Sequence, residues 1–371
     1  MMSMPSAALL LATVTARATA DATHAATAPA LTDLFHQLDA RLPHGDYRIP
    51  SLVTTNNGTL LAFVAGRMHR TDYTPNLIYL RRSVDYGASW SPAVAILFDP
   101  ANRTEFGGQP IVDKSTGAIH YLYNAANSHI KCSACKLNII TSKDDGQTWS
   151  APRLANTTGP ANATWGGGLA SGITLRSGPY AGRLIAALRH DCGCGDLRTS
   201  FLVFSDDHGE TWTGGQQMVL LPQFGGGWTE CQAAELQNGS VLMTSRNFYG
   251  TSSGQGPRLF ARSDDGGATW AANWSAGADL ADPYCEASLV SDTTRGILYF
   301  GNPSAKSRSN FSIHTSTDGG RSWPKSVVVY PGGAAYSDLA LSTDGKALSF
   351  FFERDNYNTV AFGNVPVPLQ L

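Results

Sequence analysis

Five copies of the pattern Ser-x-Asp-x-Gly-x-Ser/Thr-Trp occur in the chain, starting at Ser83, Ser142, Ser205, Ser263 and Ser316. Successive starts lie 59, 63, 58 and 53 residues apart, too regular for scattered turns and too long for a paired-helix repeat. The chain is therefore expected to fold as an array of similar units. Within each box the Asp carboxylate can accept hydrogen bonds from backbone N–H groups a few residues on, and the Gly supplies positive φ, so the box reads as a tight hairpin between two strands. A single box of this kind would be a hairpin and nothing more. Number and spacing carry the information.

Two further repeats appear once the boxes set the frame. A Gly followed by an apolar run occurs at Gly58, Gly117, Gly182, Gly239, Gly296 and Gly345, which makes six units. About ten residues before each Gly stands a short strand-like segment, beginning near Arg48, Gln109, Ser171, Glu230, Glu286 and Tyr336. Each unit then reads strand, Gly turn, strand, loop, strand, Asp box, strand. Four antiparallel strands repeated about every 58 residues predict an all-β fold, a six-bladed β-propeller of four-stranded antiparallel blades. The last unit has no Asp box before the chain stops, so a strand from the N-terminal segment, within Leu31 to Arg41, is expected to complete the sixth blade and fasten the ring. Residues 31–371 would form this one domain, with residues 1–30 a leader or weak signal peptide whose apolar segment, Ala7 to Val14, has no Lys or Arg before it.

Composition agrees with a globular all-β protein, rich in Gly and aromatic residues and poor in charge. A net charge of -2 over 371 residues gives no reason to expect nucleic acid or an anionic membrane as partner. No apolar run is long enough to span a bilayer. Seven Asn-x-Ser/Thr sequons, at Asn57, Asn102, Asn156, Asn162, Asn238, Asn273 and Asn310, favour passage through the secretory route. Cys132/Cys135 and Cys192/Cys194 are close pairs, with Cys231 and Cys285 further on. They lack the His spacing of a zinc site, and disulfides in one of fifteen pairings fit the sequons better.

Strand direction assigns faces. If the start of each first strand is the top, the Gly turn and the Asp box are both at the bottom. Arg48, Glu230 and Tyr336 stand at first-strand starts, while Arg67, Arg246 and Glu353 end second strands. Asp72 lies between a second and a third strand, and Arg308 just precedes a third strand. All eight reach the top face, drawn from several different units. Arginines, carboxylates and a Tyr converging on one axis are hard to explain as packing.

At these residues the chain resembles the exo-α-sialidases with Asp-box repeats, and the lysosomal-type animal enzymes in particular. The likeness runs from about Tyr47 to Glu353 through Tyr-Arg-Ile-Pro, the boxes, the Glu230 to Asn247 segment and the Asn302 to Asn310 segment. It implies that Arg48, Arg246 and Arg308 hold the carboxylate of sialic acid, which planar guanidinium groups match well. Tyr336 would be the nucleophile, Glu230 its base, and Asp72 the general acid, with Asp46 the fallback. Glu353 resembles the glutamate that steadies Arg48, and Arg67 an arginine lining the site near the acid. Glu235 and Glu286 are read as structural, and Asn310, two residues from Arg308, as unglycosylated.

The resemblance further implies retaining hydrolysis of terminal sialic acid from glycoproteins, oligosaccharides or glycolipids, without metal or organic cofactor, in the lysosome or outside the cell. Rival expectations are a propeller that binds sialic acid without turnover, a glycosidase working with two Asp residues and no arginine triad, and a relative that transfers sialic acid or prefers the deaminated sugar.

Overall fold

The computed structural model describes residues 29–39, 45–70, 76–97, 103–126, 136–158, 168–190, 199–218, 228–247, 257–275 and 279–369. Residues 1–28 of the expected leader, Asp72, the sequon asparagines Asn102 and Asn162, and Cys132, Cys135, Cys192 and Cys194 lie outside the described residues. An N-terminal strand β1 (Thr32–His36) precedes four successive antiparallel sheets. The first is β2 (Asp46–Thr54), β3 (Leu60–Arg67), β4 (Asn76–Ser83) and β5 (Val94–Leu97), and the second β6 (Arg103–Val112), β7 (Ile119–Ala126), β8 (Lys136–Ser142) and β9 (Arg153–Leu154). The third holds β10 (Asn156–Thr158), β11 (Ile173–Thr174), β12 (Leu184–His190), β13 (Thr199–Ser205) and β14 (Thr211–Gly214), with β10 added parallel to β14. The fourth is β15 (Trp228–Glu235), β16 (Val241–Asn247), β17 (Leu259–Ser263) and β18 (Ala272–Ser275).

The remainder departs from expectation. β19 (Ser288–Asp292), β20 (Ile297–Pro303), β21 (Ser309–Ser316), β22 (Lys325–Leu341), β23 (Ala347–Arg354) and β24 (Thr359–Pro366) form one seven-stranded sheet, with β1 at its edge beside β24. A six-bladed propeller fastened by an N-terminal strand is therefore not the architecture: four blades stand beside one curled sheet. The physical reason is β22. Its first part pairs with β21, from Thr315↔Lys325 to Ser309↔Gly333, and its second part with β23, from Ala334↔Arg354 to Leu341↔Leu348. The chain stays extended through Pro331, Gly332 and Gly333, so two repeat units share one 17-residue strand instead of separating into two sheets.

The Asp boxes do form hairpins, and all five are built alike. The Ser hydroxyl accepts from the Gly N–H at 2.8 to 3.0 Å, and one Asp oxygen accepts the Ser/Thr N–H at 2.8 to 3.0 Å. The other Asp oxygen accepts that residue's hydroxyl at 2.5 to 2.6 Å. These bonds hold Asp85 and Asp144 down at about 2, and in Asp207, Asp265 and Asp318 they outweigh burial and lower the pKa as well. Glycine is needed for a second reason at Gly209, whose φ is +85°: a Cβ there would come within 2.8 Å of His120 in the preceding blade. Trp212 is buried over its own turn, its indole N–H donating to the Gly209 carbonyl at 3.2 Å.

Apolar side chains fill the gaps between neighbouring sheets. Ile111 and Leu122 of the second blade meet Leu184, Leu188 and Trp212 of the third. Phe35, Leu52 and Tyr79 meet Phe351 and Phe362, so the first blade rests on the seven-stranded sheet. Cys231 and Cys285 are buried in such layers as free thiols, which corrects the expectation that they belong to disulfides. No helix among the described residues is long and apolar enough to cross a membrane.

Replacing Asp207 by Ala removes an acceptor of three internal hydrogen bonds and is expected to lower stability by about 1–3 kcal/mol, read as a lower urea midpoint. Because the folded-state pKa of Asp207 is depressed, its contribution is present above the ordinary carboxylate pKa and lost as pH falls below about 4. The gap between variant and wild type should close there. A gap that stays constant down to pH 2 would contradict the assignment.

Candidate functional site

Three strands that carry expected site residues have a bulge at the residue concerned. β2 slips register between Arg48 and Ser51, with Ile49 at φ +59°. β15 slips between Thr229 and Cys231, with Glu230 itself at φ +49°. β22 slips against β23 between Ala334 and Ser337, across Tyr336. A bulge adds an unpaired residue and re-aims its side chain, and positive φ on a non-glycine residue marks a backbone held by its surroundings.

Glu353, fully buried near the end of β23, joins two of these strands. One carboxylate oxygen accepts from Arg48 Nε at 2.5 Å and from the Ile49 N–H at 2.9 Å, while the other accepts the Tyr336 N–H at 3.3 Å. The Tyr336 hydroxyl donates to Glu230 Oε1, and Arg246 Nη1 reaches both Glu230 Oε2 at 2.6 Å and the Tyr336 oxygen at 3.1 Å. Arg189 Nη1 stands 3.9 Å from Glu230 Oε1. Arg308 donates to neutral oxygens, the Tyr357 hydroxyl at 3.0 Å and the Tyr284 carbonyl at 3.1 Å. Each of the three arginines also faces a ring: Arg48 lies 4.2 Å from the Tyr357 centroid, Arg246 3.6 Å from that of Tyr284, and Arg308 5.5 Å from that of Tyr336.

Protonation follows from this packing. Burial opposes charge on Glu230, but Arg246 and Arg189, with the hydrogen bonds from Arg246 and Tyr336, outweigh it and hold the carboxyl below its ordinary range. Burial, and after it the Glu230 charge, push the Tyr336 phenol well above 10.0 against the pull of Arg246 and Arg308. A neutral phenol therefore sits hydrogen-bonded to a carboxylate, flanked by guanidinium groups. That pair can release the phenolic proton to Glu230 when an electrophile approaches, and the arginines can receive an anionic ligand.

The structure thus brings together Arg48, Glu230, Arg246, Arg308, Tyr336 and Glu353. Arg67 is buried at the end of β3 on the same face, in register with Asp46 and Asn76. Asp46 is buried too, one oxygen accepting from Gln37 Nε2 at 3.2 Å. A cavity of about 150 Å³ opens beside Arg308, Glu353 and Tyr357. Among the described residues, no three His, Cys, Asp or Glu side chains gather as metal ligands. Sequence reasoning missed Arg189, Tyr284 and Tyr357. Arg189 ends a second strand just as Arg67 and Arg246 do, so strand parity could have found it. Tyr284 and Tyr357 sit in turns with φ of +60° and +67°, and their sequences give no signal of where the rings point.

A BNR repeat-like domain matches residues 58–348. The chain belongs to the sialidase family with BNR repeats. It is 33% identical over 327 residues to a sialidase of Micromonospora viridifaciens, covering 81% of this chain and 48% of that protein. With Sialidase-2 of Rattus norvegicus it shares 26% identity, over 85% of this chain and 91% of the other. Among solved structures, a Hadza microbial sialidase superposes with a TM-score of 0.74 at 26% identity, covering 87% of this chain and 66% of its own. The intramolecular trans-sialidase of Ruminococcus gnavus shares the fold, with a TM-score of 0.72 at 16% identity over 91% of this chain and 97% of its own. The chain spans about half the length of the sialidases of Micromonospora viridifaciens and Bacteroides fragilis that it matches, 48% and 54%.

Glu230→Gln removes the charge that helps raise the Tyr336 phenol and leaves Arg246 and Arg308 facing it. The Tyr336 pKa is expected to fall in this variant, read as tyrosinate absorbance emerging at lower pH than in wild type, with Tyr336→Phe as the blank. An unchanged titration would mean that the two side chains are not coupled.

Proposed function

We propose that the protein is an exo-α-sialidase that hydrolyses terminal sialic acid from glycoconjugates with retention at the anomeric carbon. The observation that carries this reading is the Tyr336 hydroxyl donating to Glu230 in the midst of Arg48, Arg246 and Arg308. Similarity to the sialidases described above supports it. Three arginines from separate parts of the chain suit one planar carboxylate, which neutral sugars lack.

In the proposed reaction the arginines fix the sialic acid carboxylate. The Tyr336 oxygen attacks the anomeric carbon, its proton passing to Glu230, while Asp72 protonates the departing glycosidic oxygen. Water, deprotonated by Asp72, then attacks the same carbon, and the Tyr336 oxygen leaves with the proton returned from Glu230. A neutral phenol suits this carbon because the attached carboxylate repels an anionic nucleophile. Sialidases, with their tyrosine nucleophile, are an exception to the usual pair of carboxylates. In this reading Glu353 steadies Arg48, and Arg67 lines the site near the acid.

Sialylated glycoproteins, oligosaccharides and gangliosides are the proposed substrates. A lysosomal or extracellular location is supported by the sequons at Asn57, Asn156, Asn238 and Asn273, whose side chains are exposed. Asn310 is only half exposed, near Arg308 in sequence.

Hydrolysis of a fluorogenic α-sialoside tests the reading. Tyr336→Phe should lower kcat by at least ~10³-fold and Asp72→Ala by ~10²–10⁴-fold. Sialic acid bound without turnover by wild type would mean a binding propeller instead. Arg308→Lys keeps the charge but loses the planar fork, and should raise KM about 10- to 100-fold, the equivalent of a charge-assisted hydrogen bond. Because Asp72 must be protonated to act and Glu230 must be charged, activity should peak at acid pH and fall as pH rises toward neutrality. A rate that stays flat to pH 8 would contradict the assigned acid.

A further inference from the structure

The first strands that begin on the side of the candidate site end at the opposite face, where Lys114 and Arg176 border a second cavity. Thr54 ends β2, Lys114 follows β6, Arg176 follows β11, Glu235 ends β15 and Ser291 lies near the end of β19. All of them line a cavity of about 120 Å³. That is room for roughly four waters at liquid density, the size class of a phosphate or sulfate ion. From Arg48 to Thr54 the strand runs about 20 Å at its usual rise. Between the two faces, buried Asp338 accepts from the N–H groups of Leu52 and Leu339, from Gln232 Nε2 and from the Ser171 hydroxyl. This polar cluster separates the cavity from the candidate site.

Two side chains in the cavity wall lack a natural partner. The Lys114 ammonium donates to the Thr54 carbonyl at 2.9 Å, and among the described residues this neutral oxygen is its one hydrogen-bond partner. Burial first, and Arg176 second, push its pKa down to about 8, so neighbouring groups aggravate the cost of the charge instead of relieving it. The Thr54 hydroxyl is buried, in a residue only 8% exposed, and has no hydrogen-bond partner among the described residues. Buried polar groups ordinarily find one, and a cation partly withdrawn from water, as Lys114 is, gains from an anion beside it. Glu235 is the carboxylate in the wall, and it is already engaged. Its oxygens accept the N–H groups of Arg176 at 2.7 Å and Ser177 at 2.9 Å, and the Ser177 hydroxyl at 2.5 Å.

We propose that this cavity is a binding site for a small tetrahedral oxyanion, held by the Lys114 ammonium and the Thr54 hydroxyl, with the Arg176 guanidinium at the rim. An ion seated there would neutralise the partly buried ammonium and satisfy the Thr54 hydroxyl together. The site does not depend on the sialidase reading, because none of its residues belongs to the arginine cluster.

Calorimetric titration of the full-length protein with inorganic phosphate tests the proposal, at constant ionic strength in chloride. Arg308→Ala serves as control for anion capture at the other face. Wild type and Arg308→Ala should bind one phosphate at this site with the same affinity. Lys114→Met should weaken that binding at least ~10-fold and Thr54→Val about 3- to 10-fold, while Lys114→Arg largely restores it. Sialoside hydrolysis should be unchanged in the Lys114 and Thr54 variants. Absence of saturable phosphate binding by wild type would overturn the proposal. So would binding that is lost in Arg308→Ala and kept in both Lys114→Met and Thr54→Val. Thr54→Val, which is nearly isosteric, keeps the test decisive if Lys114→Met folds poorly.

Discussion

The Glu353 carboxylate, on β23, holds β2 and β22 in one geometry. It is fully buried, yet it reaches Arg48 and the Ile49 N–H on β2 and the Tyr336 N–H on β22. A carboxylate taken out of water is tolerated only when its oxygens are occupied by charge or by donors. Here the donors come from strands more than 280 residues apart in the chain. The same contacts that make the buried charge tolerable also set the positions of a guanidinium and of a phenol.

Around that anchor the site resolves a conflict between burial and charge. Glu230, Tyr336 and the three arginines are all largely shielded, and each would be costly alone. Their signs interlock: Arg246 and Arg189 favour the Glu230 anion, that anion keeps Tyr336 neutral, and tyrosine rings and carbonyls cover the guanidinium groups. Arg308 stands apart in facing neutral oxygens, which leaves its charge available to a ligand. The bulges at Arg48, Glu230 and Tyr336 belong to the same arrangement, because a regular ladder would send these side chains to alternate faces of the sheet. Stability is supplied elsewhere, in the repeated hairpins and the apolar layers between sheets, so the strained residues are held by a frame that does not depend on them.

The Asp boxes were legible because their signal is local. Every donor and acceptor of a box lies within eight residues, and the hairpins form as that chemistry requires. Strand parity was legible for the same reason, since alternation of direction needs only a count of strands. It placed Arg48, Arg246, Arg308, Glu230, Tyr336 and Glu353 on one face, and the structure gathers them into one network.

What tertiary structure alone decided is whatever depends on contacts distant in sequence. Continuous pairing through β22 fuses two repeat units into one sheet, because the Pro331 to Gly333 segment remains extended between two partners that are each in place to bond it. Tyr284 and Tyr357 become ring partners of the arginines only through turns whose backbone conformation has no sequence signature at those positions. The orphan Thr54 hydroxyl and the desolvated Lys114 exist only once five first strands have ended around one cavity. The sequence by itself determined the hairpins and the alternation of strand direction, because covalent spacing sets these. Partners, burial and protonation were decided by the fold, because desolvation and Coulomb energies depend on distances through space.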